Sequence, residues 1–271
     1  TRVRSSAASD VYKRQMVDVE EAWGQPLTSL VQAGLERDQV IVRAGSSLKR
    51  ALSERRAEIH WTRRRDILRC GALRLSELDG LGIDLTPTDD LAVHDVLVGT
   101  TTNGTFVPDR IPFDELFWRM IGLYLSEGAI TTDGMRSRVG WYFHPTREQE
   151  LVDFISGYWS GLGVTTKVTY VATSAVVKLS SRILAGWFEH GLGLGRGSND
   201  KALPDAIWVR PADERRALLR GLWDGDGSWS YVSGGPSVVF EYGTTSRRLA
   251  DGMLRLLGSL GICARLKVGR T

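Results

Sequence analysis

Cysteine is scarce in this 271-residue chain: Cys70 and Cys263 stand far apart with no CxxC pair. That excludes a disulfide framework and a cysteine zinc site, and a reducing, cytoplasmic compartment is expected. No apolar run approaches the roughly 18 residues a membrane helix needs, so no membrane partner is expected. Residues 1–15 lack the apolar centre of a secretory signal and any period, and read as a tail or a cloning or assembly remnant. The four histidines, His60, His94, His144 and His190, share no ligand spacing, which argues against a histidine-bound metal. Neither sign of charge dominates, with 35 Lys plus Arg against 32 Asp plus Glu and a net +3. Any nucleic-acid surface must therefore be local.

What is present begins with 42% hydrophobic residues, enough for a substantial core. An internal repeat organises the second half. LFWRMIGLYLSEG (116–128) and ALLRGLWDGDG (217–227) align with Gly122 on Gly221, Leu123 on Leu222, Glu127 on Asp226 and Gly128 on Gly227, an offset of 99 residues. The register persists downstream, where Thr146-Arg147 and Ser246-Arg247 each open an apolar helical pattern. Those patterns stop at Leu162-Gly163-Val164 and Leu260-Gly261-Ile262, glycine being the expected terminator. Between the helices lie short stretches suited to antiparallel strands. From Arg136 to His144 one face carries Arg136, Arg138, Tyr142 and His144, the other Ser137, Val139, Trp141 and Phe143. A second hairpin is expected at Thr165–Val171 and Ala175–Ser180, then a helix over Arg182–His190. In the second unit a third strand, Cys263 to Val268, is barely complete at Thr271, so that unit reads as incomplete.

The small residues Gly122, Ser126, Gly221 and Gly225 would let the two repeated helices approach closely, bringing Glu127 and Asp226 together at their ends. Two adjacent carboxylates raise each other's pKa unless cations neutralise them. Hard divalent ions such as Mg²⁺ or Mn²⁺, which retain water and also take phosphate oxygens, suit such a pair and suit phosphodiester hydrolysis.

MIGLYLSEG (120–128) and LRGLWDGDG (219–227) resemble the paired motifs of LAGLIDADG (DOD-type) homing endonucleases in their two-repeat, single-chain form, over roughly residues 112–271. The run Asp200-Lys201-Ala202-Leu203-Pro204 further resembles intein-borne members. The resemblance implies an α+β fold of two pseudo-symmetric αββαββα half-units, 111–210 and 211–271. Their antiparallel strands would form a saddle in the DNA major groove. It implies a monomeric, metal-dependent endonuclease that cuts double-stranded DNA at a specific site, with Glu127 and Asp226 as catalytic, metal-binding acids. It also implies a basic residue near each active centre. Lys178 and Lys267 are the strand candidates, and Lys201 is another, although as a loop lysine it reads more readily as solvated. Asn103 and Asn199 are the only asparagines and no terminal His-Asn pair exists, so this chain does not splice itself but fits the interior of a longer intein. The alternative is a LAGLIDADG-type RNA maturase or a non-cleaving DNA-binding regulator.

Bases would be read from the polar strand face by Arg136, Arg138, Tyr142, His144 and Lys167, and in the second unit by Trp229, Tyr231, Glu241, Arg265 and Lys267. Residues 16–110 form a separate region, expected to be mainly helical. Ten bases, Arg43, Lys49, Arg50, Arg55, Arg56, Arg63, Arg64, Arg65, Arg69 and Arg74, face three acids between Arg43 and Arg74. That balance suggests a small DNA-contacting module. Thr100–Pro108 reads as a linker, with a boundary near Ile111.

Overall fold

The computed structural model describes residues 27, 39–83, 96–101 and 103–269; the expected tail at 1–15 lies outside them. The order is β1 (Val40–Ala44), α1 (Ser46–Glu54), α2 (Trp61–Cys70), β2 (Ala72–Arg74), α3 (Leu75–Gly80), β3 (Val96–Thr100) and β4 (Asn103–Pro108). The first half-unit follows as α4 (Glu115–Glu127), β5 (Gly128–Asp133), β6 (Arg136–Phe143), α5 (Gln149–Gly161), β7 (Lys167–Val171), β8 (Ser174–Leu179) and α6 (Arg182–Gly186), which continues as a π-helical turn, Trp187–Gly191. The second comprises α7 (Ala212–Asp226), β9 (Gly227–Tyr231), β10 (Val238–Tyr242) and α8 (Arg247–Ser259).

In the described part of the N-terminal region, the three helices α1–α3 are joined by a four-stranded antiparallel sheet that the helical reading did not include, ordered β2-β1-β3-β4. The stretch read as a linker, Thr100–Pro108, forms the β3–β4 hairpin. VIVRA (40–44) and VLVGT (96–100) are short β-branched runs, the first at the edge of the arginine-rich stretch that begins at Arg43. Of the apolar residues read at helical spacing here, Leu48, Leu52 and Ile59 are buried, whereas Trp61 is 75% exposed.

Helix α4 is apolar nearly all round because it is central, with Phe117, Trp118, Met120, Ile121, Leu123, Tyr124 and Leu125 all buried. It starts where the Asp114 carboxylate accepts the Phe117 amide at 2.7 Å, an N-cap. Helix α7 runs against it. A Cβ on Gly122 would collide with the Leu218 carbonyl oxygen and stand 2.8 Å from Gly221 Cα, and one on Gly221 would collide with the Arg119 carbonyl oxygen. The helices therefore touch backbone to backbone, and only glycine fits at either position. Two polar links flank this seam. Arg119 pairs with Asp224 at 2.9 Å, and at the helix starts Arg210 pairs with Glu214 at 2.6 Å while Glu214 also accepts from the Trp118 indole.

In the first half the sheet order is β5-β6-β8-β7. Val139, Trp141, Phe143, Ala175, Val177 and Leu179 occupy its covered face. In the second half the described residues give a two-stranded sheet, β10-β9. The expected strand over Cys263–Val268 is not there: residues 262–269 are exposed and irregular. In the first half the third strand, β7, pairs with the fourth, β8, and the described residues of the second half hold no counterpart of β8.

Candidate active site and DNA-facing surface

Helices α4 and α7 end at Glu127 and Asp226, each followed by a glycine that turns directly into β5 or β9. The close seam carries through to this end. A Cβ on Gly225 would collide with Ser126 and stand 3.1 Å from Glu127 Cγ, so the Glu127 side chain lies against the opposite helix. Burial, then the charge of Asp226, then that of Glu148, pushes Glu127 up to about 7, with Lys201 opposing. Asp226 is raised as well, by burial, again with Lys201 opposing. Each carboxylate thus resists ionising unless a cation joins it.

The cation already there is one the sequence reading assigned to solvent. Lys201 is 3% exposed, its Nζ donates to the Ser126 carbonyl at 3.0 Å, and it sits 5.7 Å from the Tyr124 ring centroid. Burial brings its pKa down to about 8, against the pull of Asp226, Glu127 and Asp200. The loop that delivers it is tightly built. Gly195 takes φ +80° and abuts the Asp200 backbone, the Asp200 carboxylate accepts the Arg196 and Gly197 amides at 3.1 and 2.8 Å, and Tyr124 Oη donates to the Gly195 carbonyl at 2.7 Å. From the other side, the Ser246 hydroxyl caps α8 and donates to the Lys201 carbonyl at 2.6 Å. The position between the repeats and the proline after Lys201 were the available signals.

The other nominated bases lie elsewhere. Lys178 is half-buried on β8, opposite Lys167 of β7 and Gly140 of β6. Lys267 and Arg265, expected on a strand, fall in the exposed irregular segment. Among described residues, Lys201 is the lysine whose charge acts on both acids.

Cross-strand partners share a face of a sheet. By that rule Arg136, Arg138, Tyr142, Lys167 and Lys178 occupy the open face of the first half-unit, away from Trp141 and Val177. Arg138 reaches Asp133 at 3.8 Å, and the Tyr142 ring lies over Gly140. His144 lies past the end of β6, where its Nδ1 accepts the Thr146 and Arg147 amides at 3.3 and 3.2 Å and so holds a turn. In the second half-unit Glu241 shares its face with Ser228, but Trp229 and Tyr231 lie on the opposite one with Phe240 and Tyr242. That is the face whose counterpart in the first half, Ile130, Val139 and Trp141, is covered. The strand begins at the residue after Asp226, so period-2 alternation from Gly227 sends 229 and 231 to the helix side.

Residues 213–271 match the model of the LAGLIDADG-like domain. The repeat extends the same αββα order back to α4, in the half that the family match does not reach. The chain is similar to an uncharacterised protein of Methanocaldococcus jannaschii, 29% identical over 74% of this chain and 23% of that protein. It is also similar to a DNA gyrase polypeptide of Mycolicibacterium flavescens, 36% identical over 56% of this chain and 27% of the relative. Against the crystal structure of I-DmoI in complex with DNA and Mn, the identity is 15% and the TM-score 0.40, over 58% of this chain and 84% of that one. The chain spans about a quarter of the length of the two curated relatives.

Proposed function

We propose that this LAGLIDADG protein is a site-specific double-stranded DNA endonuclease that hydrolyses phosphodiester bonds with divalent metal, Mg²⁺ or Mn²⁺, held by Glu127 and Asp226. The observation that carries this reading is the meeting of two resistant carboxylates and a buried lysine at the ends of close-packed helices. The donor set fits a hard ion. It offers carboxylate oxygens only, and the described residues contain no group of three or more His, Cys, Asp or Glu that could hold a metal unaided. Such a site is completed by water and substrate phosphate, which is how Mg²⁺ prefers to bind. The metal, when bound, would lower the pKa of an attacking water and stabilise charge on the scissile phosphate.

The chain's own residues do the rest. Lys201, largely protonated near pH 7, offsets the acids' mutual repulsion and offers a donor toward a phosphate oxygen. The open strand face presents Arg136, Arg138, Tyr142, Lys167 and Lys178, and Glu241 from the second unit, to the major groove. There side chains distinguish base edges while phosphate contacts set salt-dependent affinity. The matched relatives support an intein setting. The gyrase polypeptide and an ATP-dependent DNA helicase do different work, yet each shares only a segment with this chain, 27% of the one and 14% of the other, as an inserted element would.

The test is incubation with a plasmid library of random target sites, with and without Mg²⁺. Linear product that requires metal and vanishes in both Glu127→Gln and Asp226→Asn, with specific binding retained within a few-fold, supports the reading. Specific binding with no cutting under any divalent ion would return the chain to the maturase or regulator class.

A further inference from the structure

Several buried side-chain polar atoms have no hydrogen-bond partner, among them Trp141 Nε1, Trp159 Nε1 and the Tyr242 hydroxyl. Tyr242 differs from the others in where it stands. In β10 it pairs with Gly227, the residue after Asp226, so strand register sets it beside the end of α7. Burial, together with the charges of Asp226 and Glu127, holds its phenol in the protonated form, and a protonated phenol is a donor. Its counterpart in the first half is Trp141, opposite Gly128, which is enclosed by the rings of Tyr124, Trp159 and Phe188. The two half-units therefore differ at this position: one supplies a hydroxyl next to the acids, the other an indole sealed in the core.

We propose that Tyr242 is a positioning residue of the cleavage site, its hydroxyl donating to the phosphate oxygen or water held at Glu127 and Asp226 during one of the two strand cuts. The inference rests on the nuclease reading and adds an asymmetry to it. A buried donor without a partner costs stability in the free protein. The fold retains that cost because the donor is used only when substrate arrives. The two strands of one site are then cut at unequal rates.

Tyr242→Phe in the full chain tests this by two readouts of opposite sign. The melting temperature of the metal-free, DNA-free protein should rise by about 2–4 °C, the shift expected when roughly 1 kcal/mol is recovered in a protein of this size. On a supercoiled plasmid that the wild type linearises, one strand cut should slow by about 10-fold or more, the loss expected for a hydrogen bond to a charged group, so nicked circles accumulate. A fall in melting temperature would assign Tyr242 a purely structural role and overturn the proposal, as would two cuts slowed equally or not at all. If the wild type cuts no plasmid, the nuclease reading falls and this inference with it; if the wild type cuts and Tyr242→Phe behaves identically, only this inference falls.

Discussion

Glu127 and Lys201 act on stability at different ends of the pH scale. Glu127 stands at about 7 folded against an ordinary 4.5, so between those values the folded state holds more protons than the unfolded one and stability falls as pH rises. Lys201 stands at about 8 against 10.5, so between those values the unfolded state holds more protons and stability rises with pH. The metal-free protein should therefore show a minimum in melting temperature between about pH 7 and 8. Glu127→Gln should shrink the descending limb to the part that Asp226 contributes and leave the ascending one, and a monotonic profile in the wild type would refute the assignment. Saturating Mg²⁺ should lift the minimum, since a ligand bound only by the folded state stabilises it. Lys201→Met withdraws the cation opposing both acids. It is expected to lower cleavage by about 100-fold, the scale of losing one placed electrostatic donor, while the DNA dissociation constant moves only a few-fold. Gel-shift and single-turnover assays on the same preparation separate the two.

At the scale of elements, the seam between α4 and α7 brings two helix backbones into direct contact and leaves no room for added atoms. Gly221→Ala, whose new carbon meets the Arg119 carbonyl, should destabilise by about 1–3 kcal/mol, the usual cost of overpacking, even though alanine is the better helix former. Alanine at Gly157, which faces open space in α5, should have no such cost and serves as the control in a denaturant titration. These helices were legible from sequence because a motif read twice in one register constrains both copies. The position of Lys201 was not, since burial of a loop lysine depends on how Gly195, Asp200 and Ser246 shape the chain around it. The strand faces of the second unit were readable in principle: alternation counted from Gly227 assigns Trp229 and Tyr231 to the helix side. Both side chains are nevertheless open to solvent, 59% and 71% exposed. The N-terminal sheet escaped because its strands run only three to six residues, and because β1 and β2 pair across a two-helix excursion rich in arginine.

For the whole molecule, that excursion separates two kinds of arginine. Arg63 pairs with Glu77 at 2.7 Å and Arg64 donates to the Ile59 carbonyl at 3.1 Å, so these brace the region itself. Lys49, Arg50, Arg56 and Arg65 include the bases that reach solvent instead. Replacing those four by glutamine should flatten the slope of log affinity against log salt by about 0.9 for each phosphate no longer neutralised, with melting temperature unchanged. Replacing Arg63 and Arg64 should lower the melting temperature and leave the slope alone. An identical slope in both sets would make the solvent-facing bases a hydrated surface without a DNA role. The ion pair between Arg119 and Asp224 has a different reach. The repeat relates Arg119 to Leu218 and Asp224 to Leu125, so the pair exists once and its mirror position is apolar. Two copies of the first half facing each other would set Arg119 against Leu125 with no carboxylate, and two copies of the second would strand Asp224 against Leu218. On a messenger carrying several ribosomes, neighbouring nascent chains expose first halves before either second half has been made. The lone charge penalises their mutual embrace, so each chain is left to close on its own later-born half.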